Sequence, residues 1–526
     1  MDFATNSVAY YKRGKCVLKT TVEQSGKSRD FLNVSILLTV ALCIGIYLII
    51  TTAIIAKDGV TFIKYAKQFE TAPVETMMNE FQHPGYPWLI LTAHKAAGFI
   101  HDNTSILSWI YCGQSVTLVF RLLATIVIYF IGRQLLGAKL VFWAILILIL
   151  LPKPANYGSD ALSDWPHIFF LATGFLILVR GAIDGKWWLF GFAGLTAGMG
   201  YLIRPECAQL VVIGSLWLGL QLFWPKRIVS AGKAISALAL LLVGFLVIAG
   251  PYMKFKGAAF PKKDIGRFAP GLQQPEVYAK NNQTTSGAIH DSNFAPPNIA
   301  RAFGKLVGNI GETLMWFFVP ALLIGMYKWF RARKWQGPET FFITALIVLN
   351  IPVLVWLYCK HGYMSDRHTL PLLILPILYV PVGLQELAIW FQERFSKKVE
   401  PSFATNRNER FWFLVLFAIG ICICAPKLFR PIRIEKQGYR AAAKWLKANT
   451  ERKDIIAVPD KRISFYAERK GLVYENGNIP ENAVYIVKIS KKQKDRSTLA
   501  NALGKVEYKY VDKTKRGANV IIYRNL

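Results

Sequence analysis

The chain has 526 residues, of which 53% are hydrophobic and 18% charged, with a mean hydropathy of +0.31. Soluble domains carry about 25% charged residues, so this composition excludes an ordinary soluble enzyme, a disordered chain and a disulfide-rich secreted scaffold. The net charge of +31 would suggest a nucleic-acid partner in a soluble protein. Here the basic residues lie between long apolar runs, which is typical of a membrane protein with many spans and no nucleic-acid partner.

Apolar runs along the chain predict the membrane spans. A helix needs about 20 apolar residues to cross a bilayer. By this criterion the sequence predicts an all-α polytopic membrane protein with about eleven transmembrane helices, preceded by a cytoplasmic tail over residues 1–30. The predicted spans are 31–56, 105–132, 138–152, 165–180, 187–203, 206–224, 230–252, 311–330, 340–359, 369–390 and 411–426.

The positions of Lys and Arg predict the orientation. They are concentrated in the loops that become cytoplasmic when the N-terminus is cytoplasmic, and an odd number of spans then places the C-terminus outside. The large outer segments are residues 57–104, residues 253–310 and the tail 427–526. Within the first, Trp88–Ile100 is too short to span, and Pro87 favours a helix start there, so we expect an interfacial helix. Residues 31–426 form the predicted membrane domain.

The tail changes character and predicts a small soluble α/β domain outside the cytoplasm. Gln437–Lys447 has helical spacing, and Asp454–Val458 and Ala483–Ile489 are β-rich. Val506–Tyr510 and Asn519–Tyr523 predict a terminal hairpin. The domain is strongly basic, which is typical either of a face for anionic lipid headgroups or acidic glycans, or of a solvated surface.

This topology places a set of polar and aromatic side chains at one depth on the outer side. A carboxylate there can act as a base, and Arg or Lys can hold a phosphate. The set comprises Asp58, His83, Tyr86, Asp160, Asp164, Arg204, Glu206, Lys360, Asp366, Arg367 and His368.

Several of these residues also have purely structural interpretations. Asp58 could cap the helix that follows the first span, and Asp164, before Trp165-Pro166, is a favourable N-cap. Glu206 likewise complements a helix N-terminus after Pro205. Arg121 lies deep within its predicted span, so we expect it to face the bundle interior, paired or lining a polar cavity.

The sequence contains neither a Walker A motif nor a G-x-G-x-x-G fingerprint between a strand and a helix. A nucleotide donor bound in the cytoplasm is therefore unsupported, whereas a donor that resides in the membrane needs no such motif. The Gly191, Gly194 and Gly198 row lies on one helix face and predicts close packing of spans.

An ordered set of motifs resembles one enzyme family. The motifs are Asp58-Gly59-Val60-Thr61-Phe62 with Tyr65-Ala66, His83-Pro84-Gly85-Tyr86-Pro87, Ser163-Asp164, the segment from Gly194 to Glu206, and Asp366-Arg367-His368. Over about residues 30–390 the chain resembles the polytopic, lipid-linked-sugar glycosyltransferases of the GT-C fold, in particular the bacterial RgtA/B/C/D-like group. That group is related to protein O-mannosyltransferases and to the lipid A aminoarabinose transferase.

The resemblance implies a mechanism. Asp58 would be the general base for the acceptor hydroxyl, and Arg204, Arg367 and Lys360 would stabilise the departing polyprenyl phosphate. His83, Tyr86, Asp164, Glu206 and His368 would bind or position substrate. The resemblance leaves a divalent metal open, and it implies a multi-pass protein of a bacterial inner membrane.

Two hypotheses of different classes follow. The first is a glycosyltransferase that moves a sugar from a polyprenyl-phosphate donor to a lipid, glycan or protein acceptor at the outer face of the membrane. The alternative is a transporter or flippase for a lipid-linked or anionic substrate. Because transporters place charges near the bilayer midplane, whereas these acids cluster at the outer surface, the sequence favours chemistry.

Overall fold

The computed structural model describes nine stretches of the chain: residues 20–99, 104–223, 229–257, 298–332, 337–395, 405–474, 479–490, 505–512 and 519–525. Most of the predicted N-terminal tail and most of the predicted loop 253–310 lie outside these residues.

The described residues form nineteen α-helices and five strands, joined in places by short 3-10 helices. The helices are α1 Thr20–Thr51, α2 Lys57–Thr71, α3 Pro73–Asn79, α4 Gly85–Gly98, α5 Ile106–Leu136, α6 Ala138–Leu150, α7 Pro152–Tyr157, α8 Asp164–Asp184, α9 Leu189–Ile203, α10 Gln209–Phe223, α11 Ala231–Lys256, α12 Ile299–Thr313, α13 Val319–Ala332, α14 Pro338–His361, α15 Asp366–Leu373, α16 Val380–Phe395, α17 Thr405–Leu428, α18 Gln437–Asn449 and α19 Lys461–Ala467. The strands are β1 Ile455–Val458, β2 Lys470–Val473, β3 Tyr485–Ser490, β4 Lys505–Tyr510 and β5 Asn519–Arg524.

Long apolar helices confirm a polytopic membrane protein but not the count of eleven spans. Seven helices in the described residues are long and apolar enough to cross a bilayer, or eight when the pair Asp366–Leu373 and Pro376–Phe395, bent by 59°, is one broken span. Pro371 and Pro376 lie at this bend, where each removes a helical hydrogen-bond donor. The predicted spans 138–152 and 187–203 correspond to the shorter apolar helices α6 and α9.

The predicted span 311–330 is wrong as a continuous helix. α12 ends at Thr313, and α13 begins only at Val319. Between them Met315 and Trp316 have φ of 56° and 59°, a left-handed conformation that interrupts a right-handed helix. The hydropathy of the segment carries no signal of this break.

The glycine row packs two helices closely, as predicted. A Cβ atom on Gly194 would lie 2.2 Å from the Leu241 carbonyl oxygen of α11, and one on Gly198 would lie 2.7 Å from Ile248 Cβ. Helices α9 and α11 therefore approach so closely that only a residue without a side chain fits.

The tail is an α/β domain, as predicted. Its five-stranded sheet has the order β2-β1-β3-β5-β4, in which β1 pairs in parallel with β2 and β3, whereas β3–β5 and β4–β5 are antiparallel. The predicted helix, two inner strands and terminal hairpin correspond to α18, β1, β3 and β4–β5. The sequence pattern does not predict α19 and β2, which are only seven and four residues long.

The tail domain packs onto the residues of the membrane domain on either side of Asp58 in the sequence. One hydrophobic core contains Ile54, Val60 and Ile63 together with Ile463 and Ile522 of the tail. The domain therefore lies at the same end of the helical bundle as Asp58.

Candidate active site

Side chains of the tail domain form hydrogen bonds to the backbone of the segment between the first span and α2. Arg440 donates to the Thr52 carbonyl at 3.1 Å, and Arg433 donates to the Ile54 carbonyl at 3.3 Å. The Ile55 amide donates to the Tyr466 hydroxyl at 3.0 Å. Because these contacts fix residues 52–56, they fix where α2 begins and hence where Asp58 lies.

Asp58 stands in the first turn of α2, but it does not cap the helix. The N-cap position is Ala56, without a side-chain hydrogen bond. The Asp58 carboxylate instead forms a short ion pair with Arg367 of α15, 309 residues away in sequence.

Four charged residues from distant segments form what we call the acid–arginine cluster: Asp58, Asp164, Arg204 and Arg367. Arg204 Nη2 lies 3.0 Å from Asp164 Oδ1, and Arg367 Nη1 lies 3.8 Å from Asp164 Oδ2. Arg204 Nε also donates to Ser163 Oγ at 2.9 Å. The side chains that the sequence places in four separate segments therefore meet in one cluster.

Burial differs sharply within the acid–arginine cluster. The side chain of Asp164 is 2% exposed, whereas that of Asp58 is 47% exposed. Asp164 therefore joins the two arginines from inside the protein, while the carboxylate of Asp58 is the more exposed of the two.

The surrounding cations keep Asp58 ionised. Burial raises the pKa of Asp58, whereas Arg367, and more weakly Arg204 and Lys461, lower it. Together the cations outweigh burial, so the net pKa lies below the ordinary value for aspartate. Asp58 is thus a carboxylate at neutral pH and can accept a proton or a hydrogen bond.

Gly59 allows this arrangement. A Cβ atom at this position would lie 2.8 Å from the Ala161 carbonyl oxygen, so α2 contacts the segment before α8 directly. A second acid beside Asp58 would not fit there without a shift of one of the two segments.

Asp160 and Asp366 belong to separate ion pairs near the acid–arginine cluster. Asp160 Oδ2 pairs with Arg433 at 2.5 Å, and its Oδ1 accepts from the Ala56 amide at 3.2 Å. Lys153 bridges Asp366 at 2.5 Å and Glu312 at 2.6 Å. These pairs fasten loops of the membrane domain and the start of the tail around Asp58.

Two predicted substrate-binding residues are buried in packing contacts. His83 is 2% exposed, and its ring packs edge-on against Tyr201 and tilted against Tyr252, with centroid distances of 5.0 and 5.2 Å. Tyr86 is fully buried and donates to the Gly113 carbonyl at 3.0 Å. Their contacts indicate a role in shaping the protein beneath the site.

Three other predicted residues lie at the ends of helices. His368 Nδ1 accepts from the Ser365 amide at 3.3 Å within a capping box at the start of α15. Lys360 lies near the end of α14 with its Nζ 5.0 Å from the centroid of the Trp356 ring. Glu206 is exposed in the 3-10 helix before α10.

Arg121 faces the interior of the bundle, as its depth predicts. It is 1% exposed, its Nη2 donates to the Ile149 carbonyl at 3.0 Å, and its guanidinium lies 5.8 Å from the centroid of the Trp165 ring. Gly158 makes room for it, because a Cβ there would lie 2.3 Å from Arg121 Cδ.

The residues described do not fit a resident metal ion. In the part of the chain that the structure describes, no three His, Cys, Asp or Glu side chains come together in a group that could hold one. Both carboxylates of the acid–arginine cluster already have arginine partners.

Sequence reasoning missed the residues that the tail contributes. Lys461 donates to Thr61 Oγ1 at 2.6 Å on the same helix as Asp58. Arg433, Arg440 and Tyr466 hold the backbone before α2. They lie in an unremarkable basic domain, so no motif in the sequence identifies them.

Comparison with known proteins agrees with this architecture. A model of the dolichyl-phosphate-mannose-protein mannosyltransferase family matches residues 84–250. By sequence, no curated protein matches the chain significantly.

Two solved structures share the fold over most of the chain. The structure of ArnT from Cupriavidus metallidurans, bound to undecaprenyl phosphate, matches with a TM-score of 0.56 and 13% identity, over 93% of this chain and 97% of that one. The archaeal oligosaccharyltransferase AglB from Archaeoglobus fulgidus, in complex with an inhibitory peptide and a dolichol-phosphate, matches with a TM-score of 0.50 and 11% identity, over 87% of this chain and 69% of that one.

The chain therefore has the fold of these two structures, and its residues 84–250 are similar to the mannosyltransferase family.

Proposed function

We propose that this protein transfers a sugar from a polyprenyl-phosphate donor to a lipid, glycan or protein acceptor at the outer face of the membrane, with Asp58 as the general base. The observation that carries the proposal is the position of Asp58. It is an ionised carboxylate whose side chain is 47% exposed, beside three charged side chains that are only 2% to 19% exposed. The undecaprenyl phosphate bound to ArnT and the dolichol-phosphate bound to AglB support a donor of this class.

In the proposed reaction, the acceptor hydroxyl loses its proton to Asp58 as its oxygen forms a bond to the anomeric carbon. The bond from that carbon to the phosphate oxygen breaks, and its electron pair leaves with the polyprenyl phosphate. The attack from the opposite face inverts the anomeric centre. Cations near the departing phosphate stabilise the charge that develops in the transition state.

Two features support action at the outer face. The tail domain and Asp58 lie at the same end of the bundle. The excess of Lys and Arg in the loops at the other end indicates that the opposite side is cytoplasmic. The family resemblance supports a bacterial inner membrane as the location.

The test is sugar transfer by the purified full-length protein in nanodiscs, with a polyprenyl-phosphate sugar donor and extracted envelope lipids as acceptors. Asp58→Asn keeps the size of the side chain but removes its basicity. We expect it to lower kcat by at least about 100-fold, because general base catalysis contributes about 10²–10⁴ in rate.

Asp184→Asn is the matched control, since Asp184 lies at the far end of α8, paired at 3.4 Å with Lys186. It should retain the activity of the unaltered protein. A folded Asp58→Asn variant with full activity would show that Asp58 is not the base. Movement of the donor across the membrane without any glycosylated product would favour the transporter hypothesis instead.

A further inference from the structure

One lysine of the tail domain reaches the helix that bears Asp58. Lys461 begins α19, and its Nζ donates to Thr61 Oγ1 at 2.6 Å. Thr61 lies three residues beyond Asp58 on α2, which is about 4.5 Å along the helix axis. The ammonium group thus stands beside the acid–arginine cluster, on the side that the tail domain covers.

Lys461 is held in this place by its neighbours in the tail. Asp460 and Arg462, both buried, pair at 2.6 Å, and Arg462 Nη1 donates to the Ile55 carbonyl at 3.4 Å. The side chain of Lys461 itself is half-buried. Lys461 therefore differs from a freely rotating surface lysine.

Within the described residues, no direct ion pair neutralises the charge of Lys461. Among the described residues its hydrogen-bond partner is the neutral Thr61 hydroxyl, although an ammonium carries three donors. Burial lowers the pKa of Lys461. The anions Asp58 and Asp460 raise it and the cations Lys64 and Lys57 lower it, so that the net pKa lies below the ordinary value for lysine. The Thr61 hydroxyl accepts one of the three ammonium donors, so the remaining donors of Lys461 can bind a phosphate oxygen.

The two arginines of the acid–arginine cluster are already committed. Arg204 pairs with Asp164, and Arg367 bridges Asp58 and Asp164. The departing phosphate needs a cation that lies near the base and has hydrogen-bond donors that are not already used. Lys461 meets both requirements.

We propose that Lys461 of the tail domain binds the phosphate group of the lipid-linked donor, so that the soluble domain completes the active site. This inference rests on the proposed function. A charge-assisted hydrogen bond from the ammonium to a phosphate oxygen holds the donor in place. It also stabilises the negative charge that develops on the phosphate as the bond to the sugar breaks. The tail is then part of the catalytic unit and more than a basic surface.

The experiment measures binding of farnesyl phosphate, a short polyprenyl phosphate, to the full-length protein in nanodiscs, with farnesol as the uncharged control ligand. We expect Lys461→Gln to raise the Kd for farnesyl phosphate about tenfold, which equals about 1.4 kcal/mol. The Kd for farnesol should not change. Lys461→Met, which keeps the aliphatic stem, should behave like Lys461→Gln, and Lys461→Arg should restore most of the affinity.

Lys470→Gln is the matched control, because Lys470 is an exposed lysine of β2 in the same domain. It should bind farnesyl phosphate as the unaltered protein does. Equal affinity of Lys461→Gln, Lys461→Met and the unaltered protein for farnesyl phosphate would overturn the proposal, and so would an equal loss for phosphate and alcohol. If the unaltered protein bound no polyprenyl phosphate and transferred no sugar, the proposed function itself would fail.

Discussion

Replacement of Arg367 by Gln tests the electrostatic basis of the site most directly. Arg367 forms the ion pair with Asp58 and lies 3.8 Å from Asp164. A hydrogen bond to a charged group contributes about 1.5–3 kcal/mol, and we take the lower end because the Asp58 side chain is 47% exposed. Since about 1.4 kcal/mol corresponds to one pKa unit, loss of Arg367 should raise the pKa of Asp58 by about one.

The sign of the effect on activity follows from the role of Asp58. A base works in its ionised form, so activity rises as pH increases through the pKa of Asp58. In the unaltered protein the net pKa lies below the ordinary aspartate value, because Arg367 and its fellow cations outweigh burial. Without Arg367, the effect of burial raises the pKa of Asp58, and the acid limb of the activity–pH profile moves to higher pH.

The assay is kcat/KM for sugar transfer from neutral pH down to about pH 3, below the ordinary aspartate pKa of about 3.9, over the range in which both proteins stay folded. We expect the acid limb of Arg367→Gln to lie about one pH unit above that of the unaltered protein. Arg331→Gln removes the same charge from an exposed position at the other end of the bundle and should leave the profile unchanged. An acid limb at the same pH in Arg367→Gln and the unaltered protein would refute the reasoning.

Two further predictions concern stability. Asp164→Asn leaves two arginines without their buried counter-charge, so we expect the free energy of unfolding to fall by about 3 kcal/mol. Thermal unfolding in detergent measures this loss, and Asp184→Asn should show little change. Equal unfolding temperatures for the two variants would contradict the prediction. Gly194→Ala forces a Cβ to within 2.2 Å of the Leu241 carbonyl oxygen and should lower the unfolding temperature by several degrees. Gly219→Ala is the control, because a Cβ there would have no atom within 4 Å, and it should raise the unfolding temperature slightly or leave it unchanged. An unchanged unfolding temperature in Gly194→Ala would refute the close packing of α9 and α11.

The sequence predicted the acid–arginine cluster because of topology. Every second loop of a multi-span protein lies on the same side of the membrane. Once the spans were assigned, Asp58, Asp164, Arg204 and Arg367 therefore had to lie at similar depth. Depth alone does not give contact, however. His83, Tyr86 and Glu206 satisfy the same criterion, and the structure places the first two in buried packing contacts and leaves the third exposed.

The limits of hydropathy are equally physical. An apolar window reports how readily a segment enters lipid, and it is indifferent to backbone dihedral angles. The left-handed residues Met315 and Trp316 therefore interrupt the predicted span 311–330 without a signal in its composition. The bend at Pro371 and Pro376, in contrast, is visible in the sequence, because proline removes a donor wherever it occurs.

What the sequence by itself determined is the set of properties that depend on local chemistry: a multi-span protein, an α/β tail, glycines where helices touch, and acids and arginines at one depth. What only the tertiary structure decided is which of these side chains meet. The docking of the tail onto residues 52–61 brings Lys461 next to Asp58 across 403 positions of sequence, and that contact depends on how two folded surfaces fit together. No local pattern encodes such a fit, since it arises from the packing of many residues at once.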